Sequence, residues 1–155
     1  MSITLKKVRS FVRKKLKHIS AGAEEAVARF TPVEKIFLGK KLYIHDITSF
    51  NLCNNELFAL EAYKFKAKTQ QPYIIDCGAN MGMSIIYFKQ LYPQAYILAF
   101  EADDYIFSFL EKNVESFGFS GVELINKAVW NRDGELSFLA EGGAGGRLEA
   151  QKEAD

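Results

Sequence analysis

The sequence predicts an α/β fold built on a parallel sheet, and three features in a row carry that expectation. An apolar strand pattern at Tyr73–Cys77 enters a glycine turn at Gly78–Gly82; an apolar helical stretch, Ser84–Tyr92, follows and is stopped by Pro93; a second strand pattern, Tyr96–Glu101, comes next. Strand, tight turn, helix and strand in this order make a β-α-β unit. The 155 residues, 48% hydrophobic and 25% charged, suit one domain with a real core and do not suit a disordered or collagen-like chain.

Downstream, Asp103 or Asp104 can cap a second helix, in which Phe107, Leu110, Val114 and Phe117 share a face before Gly118 ends it. A third strand is expected at about Val122–Val129. Asn131-Arg132-Asp133-Gly134 is a turn signal between it and Glu135–Ala140, which predicts an antiparallel hairpin appended to the parallel sheet.

Upstream, short apolar runs at Lys35–Leu38 and Lys41–His45 flank Gly39-Lys40 and read as a hairpin turning on glycine. Asn54 or Asn55 can cap a helix running to about Phe65, with Leu57, Leu60 and Lys64 as its imperfect periodicity. Lys66 to Pro72 is polar and reads as a connector. The chain therefore divides into a lead-in, 1–70, and a principal domain, 71–155.

The first twenty residues carry seven bases and no acid, which leaves thirteen bases against nineteen acids in the rest. Leu5, Val8, Val12, Leu16 and Ile19 recur at spacings of three and four, so an amphipathic helix with a basic face is expected. Packing of its apolar stripe on the protein is the plainest reading, and peripheral contact with an anionic membrane surface is the alternative. No aromatic residues interleave the bases as nucleic-acid stacking would require, so no nucleic-acid partner is expected. No apolar run reaches the roughly 20 residues of a membrane span, and no signal-peptide stretch opens the chain, so a cytoplasmic location is expected. Cys53 and Cys77 form no metal or redox motif and read as reduced thiols.

The strand-to-helix turn is the chemical feature. Asp76 ends the first strand, and Gly78, Asn80 and Gly82 follow at every second position. Glycine lets backbone approach a ligand, and the start of the next helix offers unpaired N–H groups to an anionic group. The dinucleotide fingerprint would want glycines at 78, 80 and 83, where Asn80 and Met83 break the match. Glu101, at the carboxyl end of the second strand, can accept both hydroxyl hydrogens of a ribose. His18 and His45 have no orienting partner in sequence, and Gly142–Gly146 lacks the lysine and hydroxyl residue of a P-loop, leaving a flexible loop with Arg147 beside it as a weak anion ligand.

The acid-x-G-x-N-x-G turn resembles motif I of S-adenosylmethionine-dependent methyltransferases. Taken with AFEAD, Asn113-Val114, INKAVW and GGAGGRL in order, the stretch from about Ile44 to Leu148 looks like the FkbM family. The resemblance implies a Rossmann-like class I methyltransferase core, S-adenosylmethionine as cofactor, and O-methylation of a hydroxyl on a small-molecule or glycan acceptor such as a sugar or natural product. Carried over, Gly78, Asn80 and Gly82 would surround the methionine half of the cofactor with Asp76 near its amino group. Glu101 would hold the ribose, and Ala128 and Val129 at the end of the third strand would lie beside the adenine. Alanine at 102 replaces the more usual proline and leaves the carboxylate in place. The segment with Glu56 and Tyr63 also matches the family, where it precedes motif I and could close over the cofactor; packing is its plainest role.

The family continues past GGRL into a fourth strand and the acceptor side, so the chain is expected to be an incomplete core: three parallel strands plus a hairpin. No catalytic residue is named. One long edge of the first strand would then be unpaired and open to self-association or to a completing partner. A non-catalytic cofactor-binding or interaction fragment is the alternative function.

Overall fold

A computed structural model describes residues 29–132, 134, 137–139 and 147–149. The expected basic helix within residues 1–20, His18 and the glycine-rich segment 142–146 lie outside the described residues.

Strands β1 (Val33–Phe37) and β2 (Lys40–Ile44) pair antiparallel with Phe37 opposite Lys40. The turn residues are Leu38 and Gly39, one position earlier than expected, at φ 51° and 83°. Two consecutive left-handed residues make the primed turn whose twist matches that of the strands.

Helix α1 (Ile47–Asn54) corrects the helix expected from Asn54 or Asn55 to Phe65. Its cap is Asp46, an extended residue whose carboxylate accepts the Ser49 N–H at 3.0 Å and the Ser49 hydroxyl at 2.8 Å. Asn54 is itself helical, so it cannot perform that task. The helix runs on as one π-helical turn, Asn55–Ala59, and stops there. Leu57 is buried and Leu60 is exposed. The connector that follows is pinned by Tyr92, whose hydroxyl accepts the Ala67 N–H and donates to the Phe65 carbonyl, both at 2.9 Å.

The principal unit is α/β and Rossmann-like: β3 (Tyr73–Cys77), α2 (Met83–Leu91), β4 (Tyr96–Phe100), α3 (Asp104–Phe117) and β5 (Val122–Ile125). The three strands are parallel in the order β3-β4-β5, with Tyr73 opposite Tyr96 and Ile97 opposite Val122. Asp103 caps α3 by accepting from Tyr105 and Ile106 N–H, and Gly118 ends it at φ 66°. The buried face of α3 centres on Ile106, Phe109, Leu110, Asn113 and Phe117; Phe107 and Val114, expected on that face, flank it half-buried.

Two expectations fail beyond β4. Strand β5 stops at Ile125, short of Val129, where the Lys127 N–H turns back to the Ile125 carbonyl at 2.9 Å. Among the described residues the segment after the turn does not pair with β5: β6 (Ser137–Leu139) pairs antiparallel with β7 (Arg147–Glu149) in a separate two-stranded sheet.

One buried cluster joins Phe37, Leu42 and Ile44 of the hairpin to Ile85, Ile97 and Leu110 of the α/β unit. Phe37, Phe50, Phe58 and Tyr87 continue it as edge-to-face rings 5.2–5.7 Å apart. Buried Lys89 donates from Nζ to the carbonyls of Ala95 (2.5 Å) and Ser120 (2.6 Å), tying the loops that precede β4 and β5; burial pushes its pKa down. The sheet is covered on the face of Ile97 and Ala99 and open on the other, where Tyr73 and Ile75 are 60% and 59% exposed and Tyr73 stacks on Tyr96 at 5.2 Å. Among the described residues β3 has β4 as its only ladder partner and forms an edge of the sheet. No helix among the described residues is long and apolar enough to cross a membrane.

Candidate cofactor site

The turn between β3 and α2 has its amides engaged by a carbonyl of β4, by its own Ala79 carbonyl and by the side chains of Glu101 and Asn80. The N–H groups of Gly78 and Ala79 both reach the Phe100 carbonyl, at 2.9 and 2.8 Å, and the Gly82 N–H reaches the Ala79 carbonyl at 2.9 Å. Asn80 N–H donates to Glu101 Oε2 at 2.9 Å, and Met81 N–H to Asn80 Oδ1 at 2.8 Å. Five successive amides are thus spent inside the protein. A ligand at this end meets the first amides of α2 instead, which have no partner one turn earlier in the helix.

Gly78 and Gly82 are required for different reasons. Gly78 sits at φ 104° with open space where a side chain would project, and Gly82 at φ 88° would drive a Cβ to 2.9 Å from Leu110 Cδ1. The first opens the turn to a ligand; the second lets α3 close on its back. Asn80 between them is left-handed at φ 49°.

In front of the turn lies a cavity of about 250 Å³. Its floor is Asp76, Cys77, Gly78, Ala79, Asn80, Met83 and Ser84, and its far wall is Cys53, Glu56, Leu57 and Tyr63. The π-helical turn supplies Glu56 and Leu57 to that wall. A wider turn re-aims successive side chains relative to an α-helix, which is why such turns recur at binding sites. Burial raises the pKa of Asp76, and the bond it accepts from the Ser84 hydroxyl at 2.5 Å opposes that rise. Burial likewise raises the Cys53 thiol, and Cys53 and Cys77 are both free cysteines.

Among the described residues two carboxylates, Glu56 and Asp76, line the cavity and no lysine, arginine or histidine does. Such a lining repels phosphate and attracts a cation, and the Tyr63 ring can add to that attraction. Among the described residues no cluster of three or more histidine, cysteine or acidic side chains is placed to hold a metal.

The structure brings Asp76, Gly78 and Asn80 together at the cavity and puts Gly82 behind them as the residue that opens α2. Glu101 does not line the cavity. It is 8% exposed, and its carboxylate faces the turn, accepting from Asn80 and, through Oε1, from the Asp103 N–H at 2.9 Å. Ala128 and Val129 are not at the end of a strand: they lie exposed beyond β5, and neither lines the cavity. Glu56 and Tyr63, read as packing residues, line it.

Two residues behind the turn, Asn113 and His45, stand out in the sequence without the partners the structure gives them. Asn113, buried on α3, accepts the Tyr43 N–H at 2.7 Å and donates to the carbonyls of Tyr43 and Met81 at 2.9 and 2.8 Å. It therefore completes the edge of β2 and fastens it to the turn. His45, buried after β2, lies with Nε2 2.9 Å from Asn80 Oδ1. These partners stand 32 to 70 positions apart, and no local pattern announces them.

No family model matches the chain. It is 33% identical over 85 residues to methyltransferase 1 of Beauveria bassiana (strain ARSEF 2860), covering 55% of this chain and 34% of that protein. It is 34% identical over 82 residues to methyltransferase sdnD of Sordaria araneosa, covering 52% of this chain and 32% of that one. The chain spans about a third of the length of these curated relatives. Among solved structures it is similar to M. jannaschii TYW2 in complex with AdoMet, at 15% identity and a TM-score of 0.47, over 73% of this chain and 50% of that one.

Proposed function

We propose that this chain is the S-adenosylmethionine-binding part of a methyltransferase, of FkbM type, acting on a hydroxyl of a sugar or natural product. The observation that carries the reading is the acidic cavity against a glycine turn: Asp76 and Glu56, with no basic residue among the described residues that line it. S-adenosylmethionine brings two positive centres, its ammonium and its sulfonium, whereas NAD would bring a pyrophosphate to the same turn. The relatives named methyltransferases support the same class.

In this reading Asp76 and Glu56 receive the cationic amino-acid end, and Gly78 gives it room. At about 250 Å³ the cavity is smaller than the roughly 300–1,000 Å³ of pockets that engulf a whole ligand, so the adenosine end extends out past it. Glu101 spends two of about four acceptor positions on Asn80 and Asp103, and the rest are for ribose hydroxyls. When bound, the cofactor supplies an activated methyl group; the residues of this chain bind and orient it and keep the methyl face dry.

Calorimetry with S-adenosylmethionine, S-adenosylhomocysteine and NADH tests the reading, with Glu101→Ala as control. Binding of the first two but not of NADH is expected, and a preference for NADH overturns it. The edge that β3 forms among the described residues, with the exposed Tyr73 and Ile75 on it, favours a second reading, a cofactor-binding piece that turns over only when another polypeptide completes the sheet. Binding without methyl transfer to any of a panel of hydroxylated acceptors supports that one.

A further inference from the structure

Among the described residues that line the cavity, Asn80 is the one that carries a side-chain amide. Its left-handed backbone, φ 49°, costs most residues energy, and asparagine tolerates it through local hydrogen bonds. Here the local bond is from the Met81 N–H to Oδ1, at 2.8 Å. That bond fixes which end of the amide is which: turned over, the NH2 group would face the Met81 N–H, donor against donor. Oδ1 can only accept, so the atom 2.9 Å away on the other side, Nε2 of His45, must carry a hydrogen. The imidazole is fully buried and sits edge-on to Phe109 with centroids 5.8 Å apart, which holds it against Asn80. With Oδ1 shared between Met81 and His45, the NH2 group of Asn80 has no hydrogen-bond partner among the described residues.

We propose that His45 is a positioning residue of this site: its Nε2–H sets the Asn80 amide so that the NH2 group is what Asn80 offers to an acceptor atom of the ligand. Because the turn amides are spent internally, that NH2 group stands beside the first amides of α2 as a side-chain donor for a carboxylate at the amino-acid end of the ligand. The identity of the ligand rests on the reading above, whereas the His45–Asn80 geometry does not. The hairpin is thereby part of the site, since His45 directly follows β2.

Two measurements test this. The chain has two histidines, so a His18→Gln background leaves His45 alone for long-range ¹H–¹⁵N correlation. The Nε2–H tautomer is expected near neutral pH without ligand, and an Nδ1–H tautomer overturns the His45–Asn80 assignment. Dissociation constants are then compared for S-adenosylmethionine and 5′-methylthioadenosine, which keeps the adenosine thioether and lacks the amino-acid end. His45→Phe is expected to weaken the first about tenfold and the second less than about twofold, with His45→Gln, which retains an N–H donor, close to wild type. Asn80→Asp keeps the acceptor and removes the donor, so it reports on the same selectivity if His45→Phe does not fold. Equal losses for both ligands mean a purely structural role and overturn the proposal. Failure of the wild type to bind either ligand removes the functional reading and the ligand half of this one, and the tautomer still decides the other half.

Discussion

Glu101 Oε2 accepts the Asn80 N–H at 2.9 Å, so the carboxylate at the end of β4 closes the turn that leaves β3. Its other oxygen takes the Asp103 N–H at 2.9 Å, and Asp103 in turn caps α3. One buried side chain therefore sets the floor of the cavity and the start of a helix together. Removing it leaves two amides without acceptors. Glu101→Ala is expected to cost roughly 2–4 kcal/mol in urea unfolding, and Glu101→Gln, which keeps one acceptor oxygen, distinctly less. Equal losses for the two would show that the carboxylate does not hold the turn.

At Gly82 two penalties add, a left-handed φ of 88° and a Cβ 2.9 Å from Leu110 Cδ1, while Gly118 has φ 66° and nothing within 4 Å. Gly118→Ala is expected to cost about 1 kcal/mol for backbone strain alone, and Gly82→Ala about 2–3 kcal/mol. Leu110→Val in the Gly82→Ala background should recover the steric part. Thermal unfolding of the three variants reads the difference, and identical shifts for the two glycines would remove the contact from the account.

Burial pushes the Asp46 carboxyl up, but bonds from the Ser49 hydroxyl and N–H, the Phe30 N–H and Arg29 outweigh it and hold the pKa at about 2 against the usual 3.8. A depressed carboxyl stabilises the fold above its unfolded value and loses that contribution as pH falls through its folded value. The stability gap between wild type and Asp46→Asn, which keeps a capping oxygen without the charge, should therefore be full at about pH 6 and close between about pH 4 and pH 2. Denaturant midpoints across that range check it; a gap that does not change with pH contradicts the ion-pair and hydrogen-bond origin.

Asp76 carries the opposite sign. Burial raises its pKa above 3.8 in spite of the bond from Ser84, so the folded state is penalised once pH exceeds that raised value and the penalty is relieved as pH falls toward 3.8. Asp76→Asn is expected to raise the melting temperature of the ligand-free protein at neutral pH while weakening a cationic ligand about tenfold or more. Calorimetry and a melting curve on the same variant check both halves. A variant that lost stability and kept affinity would place the charge elsewhere.

Much of the α/β unit was legible because its signals are local. Tyr73–Cys77 was read with its observed bounds, since a glycine turn ends it on one side and a proline precedes it on the other. The Asp103 cap and the Gly118 stop lie within a few residues of the amides and carbonyls they satisfy. Helix α1 shows where local reading misleads: Asp46 and Asn54 are both acceptable caps by type, and the choice fell to Asp46 through Arg29 and Phe30, which approach it from before β1. The end of β5 was overestimated because Ala128-Val129-Trp130 is as apolar as a strand, yet among the described residues no strand pairs with it.

The sequence by itself determined the order strand, glycine turn, helix, strand, and the chemistry of the turn residues, because backbone sterics and caps act over a few bonds. Tertiary structure alone decided that Glu56 and Tyr63 face Asp76 across a cavity, that Asn113 fastens β2 to Met81, and that His45 meets Asn80. Those pairs are made by the closing of a buried core on elements far apart in the chain, and burial selects partners by geometry and volume that no short window of residues encodes.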